Sequence, residues 1–503
     1  MARGRALGSL LAVLLAAGCG TTVGVGAGPQ SSSVPGAGGL GPALASQPST
    51  QPSSAGGGSA AQSSRNRSGT TIGAAAGGTA GPGAGSSPAT GAAGAPAVPH
   101  ATTGPIEVGL LYAVNDGAAP AGIQNGNTFS LQQVAHAFVD SYNKTGGIGG
   151  RRIEPVYEAL HSYNSDYEQQ IAAACAAFTQ DHHVAVVIND SGYYSEQLLT
   201  CLAKASVPII SGDVAGPDHV DARQFPGFLT PLTMTGEYRV AAVVDHLATA
   251  GWLMHANRVG VVIENCPVDQ RVYSHGLAPA LARHHIAVAS TFATQCFQSL
   301  QDFGTETSQM SNAVVRFRQD QVDMVIVVSQ SAEANLVFAF SEVADSQRWY
   351  PRYALSSVSF PEALAQNASA SQMANMRGVG WVPVLDTENL RQVPATAATK
   401  ACLARVRSQG VQPQSNTDYA YVYEPCDSFA LLDAILRETG GDASYGVVLQ
   451  GERAVTSRFQ AASTVAGQVR VWPDGRLGAA TGRLFAFVDG SFRYTTKRFS
   501  LWR

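Results

Sequence analysis

The 503-residue chain carries little charge, and the charges it has nearly balance. Only 14% of the residues are Asp, Glu, Lys or Arg, and 32 basic against 36 acidic residues give a formal charge of −4. A nucleic-acid-binding protein needs a basic surface, so this balance argues against that class. After residue 19, no apolar run approaches the ~20 residues of a transmembrane helix, which excludes a polytopic membrane protein.

The short motifs of common catalytic and metal sites are also missing. The sequence has no CxxC or HExxH spacing, no GxSxG nucleophile elbow and no P-loop. The glycine cluster 146–150 follows a predicted helix, whereas a dinucleotide-binding fingerprint follows a strand. Paired carboxylates drawn from Asp190, Asp213 and Glu264 remain the one catalytic alternative. We therefore predict a protein that is not an enzyme and that holds neither a metal nor a cofactor.

The first 19 residues are typical of an export signal. Arg3 and Arg5 precede an apolar stretch that is too short to span a bilayer. The segment ends in Ala-Ala-Gly-Cys, which resembles the bacterial lipobox, with Ala16 in place of the usual Leu. The resemblance implies cleavage before Cys19, acylation of its thiol and anchoring at the extracytoplasmic face of the cell membrane. A plain signal peptide with an incidental cysteine is the alternative.

The segment 20–104 lacks the side chains that build a core. Only fifteen of its 85 residues are anything but Gly, Ala, Ser, Thr or Pro. Such a composition cannot bury enough apolar surface to offset chain entropy. We predict a disordered tether with a mean reach of roughly 50 Å.

Six cysteines remain once Cys19 is set aside, and an even number in an exported chain indicates disulfides. Pairing sequence neighbours gives Cys175–Cys201, Cys266–Cys296 and Cys402–Cys426, one of fifteen possible arrangements. Cys175 and Cys201 fall on the inner faces of two consecutive predicted helices, the first opened by a capping box at Ser165 and Glu168. Buried free thiols are the alternative.

From residue 105 the chain alternates strand and helix in two cycles. Near-continuous β-rich runs, bounded by turns, predict buried parallel strands at Val108–Val114, Ile153–Glu158 and Val184–Ile188. The pattern restarts at Val259–Glu264 and ends in predicted hairpins. Two doubly wound α/β lobes are the economical interpretation, with ligand binding at the carboxyl ends of the strands.

The order of these segments resembles the type 1 periplasmic-binding fold, in the leucine/isoleucine/valine-binding branch of ABC-transporter substrate-binding proteins. The segments that carry the resemblance include PIEVGLLYAVND, NKTGGIGGRRIEPVYE, VPIISGDVAG, RVGVVIE, VDMVIVVSQS and YAYVYEPCDSFALLDAI. It implies two lobes joined by three crossings near 232–236, 383–386 and 461–468. The expected first lobe comprises 105–234 plus 385–462, and the expected second lobe comprises 235–384 plus 463–503.

The resemblance also implies which residues face the ligand. In the first lobe, the loop after the third strand offers Asp190, Ser191, Gly192 and Tyr193, before a helix whose start near Ser195 suits an anion. The next loop places Asp213 and Ala215 near the positions that contact the ammonium and the carboxylate in amino-acid binders.

In the second lobe, Tyr273 matches the cleft tyrosine of the family, and Gln330 falls where another tyrosine is expected. Ser357 stands where amino-acid binders place an acid against the ammonium. A buried ammonium needs a counter-charge. Either Asp213 or Asp190 supplies it, or the ligand is not an α-amino acid.

The sequence therefore predicts a monomeric, lipid-anchored solute-binding protein. It would close on a small polar ligand, an amino acid or a related compound, and deliver that ligand to an ABC permease. A receptor module of the same fold that signals to a membrane partner is the alternative, and genes encoded nearby would discriminate the two. A degenerate cleft that binds nothing is a further possibility.

Overall fold

The computed structural model describes residues 102–114, 128–161, 166–192, 194–296, 303–392 and 395–502. The predicted leader with Cys19, nearly all of the predicted tether, and Tyr193 lie outside the described residues.

The first sheet has five parallel strands in the order β2-β1-β3-β4-β5. The strands of this sheet are β1 (Ile106–Val114), β2 (Ile153–His161), β3 (Val186–Asp190), β4 (Ile209–Ser211) and β5 (Phe228–Leu229). Successive strands are added on one side of β1 and then, from β3 onward, on its other side, so the strand order reverses between β1 and β3. Ligands of open α/β sheets bind at such a point, beyond the carboxyl ends of the strands.

The second sheet repeats that order. Its parallel part runs β7-β6-β8-β9-β10. These strands are β6 (Arg258–Glu264), β7 (Ala287–Thr294), β8 (Met324–Val328), β9 (Arg352–Ser356) and β10 (Met376–Gly380). Its point of reversal therefore lies between β6 and β8.

The remaining strands are antiparallel, as the hairpin turns in the sequence predicted. The first two form a separate two-stranded ribbon. The third pairs with β10, and the last two both pair with the third. In chain order these are β11 (Val469–Val471), β12 (Leu477–Ala479), β13 (Thr481–Val488), β14 (Ser491–Tyr494) and β15 (Phe499–Ser500).

Fifteen α-helices lie in the described part of the chain. They are α1 (Leu131–Lys144), α2 (Tyr167–Ala176), α3 (Glu196–Lys204), α4 (His219–Gln224), α5 (Gly236–Thr249), α6 (Pro267–Val272), α7 (Ala278–Arg283), α8 (Phe303–Gln319), α9 (Glu333–Ser346), α10 (Pro361–Asn367), α11 (Ala370–Met373), α12 (Pro383–Asp386), α13 (Ala397–Arg407), α14 (Asn416–Glu438) and α15 (Tyr445–Val455). None of these described helices has the length and hydrophobicity of a membrane span.

Twelve of the fifteen described helices divide between the two sheets. The first lobe, as we use the term, is the β1–β5 sheet with α1–α4 and α13–α15, and the second lobe is the β6–β10 sheet with α5–α9. The chain passes between the sheets after β5, after β10 and after α15. The second and third crossings touch, because the N–H of Val465 donates to the carbonyl of Trp381 at 2.9 Å.

A glycine in the first strand of each lobe admits a phenylalanine from a nearby helical segment. A Cβ at Gly109 of β1 would lie 2.8 Å from the ring of Phe178, and a Cβ at Gly260 of β6 would lie 2.8 Å from the ring of Phe317. Both rings are fully buried. In both lobes, therefore, a glycine of the first strand makes room for a phenylalanine ring between sheet and helix. This shared packing agrees with the repeated strand order.

The structure contains the three disulfides formed by sequence neighbours. The Cα atoms of Cys175–Cys201, Cys266–Cys296 and Cys402–Cys426 are 6.3, 4.8 and 5.9 Å apart. Ser165 of the predicted capping box lies outside the described residues. The residue before the first turn of α2 is Asp166, and its side chain makes no capping hydrogen bond.

Candidate functional site

A cavity of about 280 Å³ lies at the carboxyl ends of both sheets, and residues of both lobes line it. Ala113 near the end of β1 and Asp190 at the end of β3 contribute from the first lobe, on the two sides of its point of strand reversal. Gln330 and Ser331 follow β8 and contribute from the second lobe. The cavity therefore occupies the place that the topology predicts for a ligand.

Three acids approach the cavity from different elements of the first lobe. Asp190 ends β3, Asp213 lies in the loop after β4, and Glu424 lies in α14. Gly212 makes their approach possible. A Cβ at that position would lie 2.4 Å from the carbonyl oxygen of Glu424 and 2.8 Å from Oδ1 of Asp190.

The carboxylate of Asp213 is well supplied with donors. It accepts hydrogen bonds from Nδ2 of Asn189 (3.1 Å), the N–H of Gly192 (3.1 Å) and Oγ of Ser211 (3.2 Å). The other two acids differ. Among the described residues, neither Oδ1 of Asp190 nor Oε1 of Glu424 has a hydrogen-bond partner, and both atoms are shielded from solvent.

Burial raises the pKa of all three acids, and neighbouring negative charge adds to this effect at Asp190 and Glu424. Burial, followed by the negative charge of Asp213, raises the pKa of Asp190 well above its ordinary value. Burial also raises the pKa of Asp213 to about 7, against the opposing effect of hydrogen bonds from Ser211 and Gly192. Glu424 has a strongly raised pKa because it is buried and because Asp213 and Asp190 lie near it.

The fourth acid of the cavity belongs to the second lobe and is paired. Arg239, almost completely buried, donates to Oε2 of Glu333 at 2.8 Å and to the carbonyl of Ser329 at 3.1 Å. The amide of Gln330, in the orientation that satisfies both its groups, accepts from Arg239 at 2.8 Å and donates to the carbonyl of Gly216 at 2.9 Å. Gln330 thus joins the two lobes.

The rest of the lining is largely apolar. Leu131, Val214, Val358, Phe360 and Tyr421 contribute side chains or backbone to the wall. Phe360 has a φ of +47°, a left-handed conformation that costs about 1–3 kcal/mol for a residue other than glycine. It directly precedes α10, and the surrounding structure must hold it in place.

An ion-paired cluster joins the lobes beside the cavity. Arg271 of α6 donates to Asp218 and, at 2.8 Å, to Asp221, both from the first lobe. Tyr194 donates to the other oxygen of Asp221 at 2.8 Å. Asp218 and Asp221 are nearly inaccessible to solvent, so the arginine compensates two buried carboxylates.

Six of the nine residues predicted to face the ligand line this cavity, namely Asp190, Ser191, Gly192, Asp213, Ala215 and Gln330. Tyr193 lies outside the described residues. Tyr273 begins a π-helical turn, Tyr273–Leu277, that contacts α5, and it is not part of the lining. Ser357 is also away from the lining, because its hydroxyl is buried and accepts from the N–H groups of Trp381 and Val382.

The helix start expected to suit an anion is already occupied. Ser195 caps α3, since its hydroxyl accepts from the N–H of Leu198 at 3.2 Å. Glu264, the other candidate acid, is buried in the second lobe and accepts from the hydroxyl of Ser329. Neither feature faces the cavity.

Sequence reasoning missed Glu424, Glu333, Phe360 and Tyr421. For Glu424 a signal existed, because an acid directly before Pro425 interrupts an otherwise apolar stretch of a long helix. The left-handed conformation of Phe360 depends on tertiary packing and leaves no mark in the sequence.

Comparison of structures identifies the fold. The chain is similar to an ABC-transporter solute-binding protein of R. palustris in complex with 4-hydroxybenzoate (TM-score 0.57, 14% identity, 79% of this chain and 97% of that one). It is also similar to a branched-chain amino acid transporter substrate-binding protein of Streptococcus pneumoniae in complex with isoleucine (TM-score 0.53, 16% identity, 79% and 99%). A third is a possible leucine/isoleucine/valine-binding protein of Rhodopirellula baltica (TM-score 0.57, 14% identity, 80% and 98%).

The chain therefore has the type 1 periplasmic-binding fold, as the order of its segments predicted. No family model matches the sequence, and no curated protein matches it by sequence.

Proposed function

We propose that this protein is an extracytoplasmic solute-binding protein. It captures a small ligand between its two lobes by hinge closure and delivers it to an ABC permease. The observation that carries the proposal is the cavity of about 280 Å³ that both lobes line at the carboxyl ends of their strands. Contacts between the lobes, such as those of Arg271 and Gln330, support a closed state that is stabilised by a bound solute.

We further propose that the chain is monomeric, that its lobes have the boundaries given above, and that acyl groups on Cys19 hold it at the outer face of the membrane. The pattern of residues 1–19 supports the anchor. Replacing Cys19 tests it directly. Cys19→Ser should move the protein from the membrane fraction to the soluble fraction, and a variant that stays in the membrane would contradict the anchor.

A thermal-shift panel on the full-length protein tests solute binding. The panel contains amino acids, amides, short peptides, polyamines, sugars, ureas and aromatic acids. A solute at a hundred times its Kd adds roughly 2.7 kcal/mol to the free energy of unfolding, which raises the melting temperature visibly. The same solute should decrease the radius of gyration in X-ray scattering as the lobes close. A panel without any shift would contradict the proposal.

Uptake distinguishes transport from sensing. If the protein serves an importer, a deletion strain should lose uptake of the solute found in the panel, and the intact gene should restore it. Unchanged uptake together with solute binding would favour a receptor module of the same fold.

A further inference from the structure

We propose that the cavity binds an organic amine that has an apolar or aromatic body and no carboxylate, and that Asp190 and Glu424 receive its ammonium group. This inference rests on the proposed solute-binding function and adds the charge class of the solute.

The first reason is that the charges of the lining do not balance. Four acids line the cavity, while no Lys, Arg or His side chain lies among its described lining residues. Glu333 has Arg239 as its cationic partner. Asp190 is only 8% exposed, and among the described residues its Oδ1 has no hydrogen-bond partner. A buried carboxyl group in this state lacks the donor and counter-charge that a ligand ammonium would supply.

The second reason is that the described lining holds no positively charged side chain to receive a carboxylate. The N–H groups of Ser191 and Gly192, in the loop after β3, are engaged within the protein. The N–H of Ser191 donates to Oδ1 of Asn189 at 3.3 Å, and the N–H of Gly192 donates to Oδ1 of Asp213 at 3.1 Å. An anionic group near Asp190 would meet no cationic side chain among the described lining residues, and it would oppose ionisation of the neighbouring acids. The arrangement therefore disfavours both an α-amino acid and a benzoate.

The third reason concerns the size of the cation. Within the described part of the chain, the one group of three side chains close enough to share a metal ion is Glu264, Cys266 and Asp269, and Cys266 is in a disulfide. The cavity acids do not form a group close enough to share a metal ion. The cavity volume of about 280 Å³ and the walls at Phe360 and Tyr421 suit an ammonium attached to an apolar body.

Three probes that share a phenyl body separate charge from shape. They are 2-phenylethylamine, phenylacetate and phenylalanine, which present an ammonium, a carboxylate and both. Cadaverine serves as an amine with an aliphatic body. Calorimetric titration of the full-length protein at about pH 8 should show that an amine binds most tightly and that phenylacetate does not bind, because higher pH favours the ionised form of the cavity acids.

Two isosteric variants locate the ammonium. Asp190→Asn and Glu424→Gln should each weaken binding of the amine about 30-fold or more. Asp181→Asn, which neutralises an exposed acid of the same lobe, is the matched control and should leave affinity unchanged. Melting curves of the ligand-free variants establish that they fold. If one of the two cavity variants fails to fold, the other still tests the assignment.

The outcomes separate the two proposals. Tighter binding of phenylacetate or phenylalanine than of either amine would overturn the amine inference and leave solute binding intact. Failure of all four probes would also overturn it, whereas solute binding fails only if the wider panel gives no shift. Amine affinity that is unchanged in both cavity variants would overturn the assignment to Asp190 and Glu424.

Discussion

The guanidinium of Arg239 lies 2.8 Å from Oε2 of Glu333, in the interior of the second lobe. This pair makes the cavity asymmetric. The acid that comes from the second lobe has a buried cationic partner, whereas the three acids from the first lobe have none among the described lining residues. The protein thus neutralises the acid on the second-lobe wall with its own arginine. On our proposal, the ligand supplies the positive charge for the first-lobe wall.

Removing Arg239 should be costly. Arg239→Met leaves Glu333 as a buried charge without a cationic partner, and we expect the free energy of unfolding to fall by about 3–5 kcal/mol. Urea denaturation measures this. The double variant Arg239→Met/Glu333→Met should lose less than the single variant, because no charge then remains unpaired. Equal losses in both variants would contradict the pairing.

Gly212 sets the distance between the β4 loop and α14. In Gly212→Ala, the added Cβ would overlap the backbone of Glu424, so the loop and helix must separate. We expect a loss of about 1–3 kcal/mol in unfolding free energy and weaker binding of the amine probe. Gly446→Ala is the matched control, since nothing lies within 4 Å of a Cβ there and alanine favours the helix. A control as damaging as Gly212→Ala would refute this explanation.

Arg271 should hold the closed state. Arg271→Met leaves Asp218 and Asp221 buried without their cation, so the lobes should separate more readily and release the ligand faster. A loss of about 2–5 kcal/mol in binding free energy is expected, mostly as an increased dissociation rate measured by stopped flow. Arg283→Met removes an exposed pair with Asp245 inside the second lobe and should leave that rate unchanged.

The ligand-free protein should lose stability as the pH rises. Asp213 faces Asp190 and Glu424, and burial raises its folded-state pKa to about 7, so the folded chain keeps a proton that the unfolded chain releases near pH 4. The free energy of unfolding therefore falls between about pH 4 and pH 7, by about 4 kcal/mol from this group at most. Asp213→Asn should flatten the dependence of stability on pH. An unchanged slope in urea titrations across that range would contradict it.

Much of the architecture was predictable because parallel strands and hairpin turns leave strong local patterns. The strand at Val108–Val114 and the turn at Asp489-Gly490 are examples, as is the pairing of neighbouring cysteines. The first-lobe loops at Asp190 and Asp213 were also predictable, since they directly follow buried strands.

The rest of the site depends on contacts between distant segments. Glu424 reaches the cavity because Gly212, more than two hundred residues earlier, admits α14. Tyr273 does not line the cavity, and it begins a π-helical turn that contacts α5. The hydroxyl of Ser357 accepts a hydrogen bond from the N–H of Trp381, where the chain crosses between the lobes. None of these relationships has a local signature.

The most direct test of the account is the number of protons exchanged when 2-phenylethylamine binds. Titrations at about pH 6.5, in two buffers with different ionisation enthalpies, give this number for the full-length protein. Burial raises the pKa of Asp190, Asp213 and Glu424 and so favours their protonated forms in the ligand-free state, and an ammonium should drive protons off. The account predicts proton release that diminishes in Asp190→Asn. Proton uptake, or binding without any exchange, would contradict it.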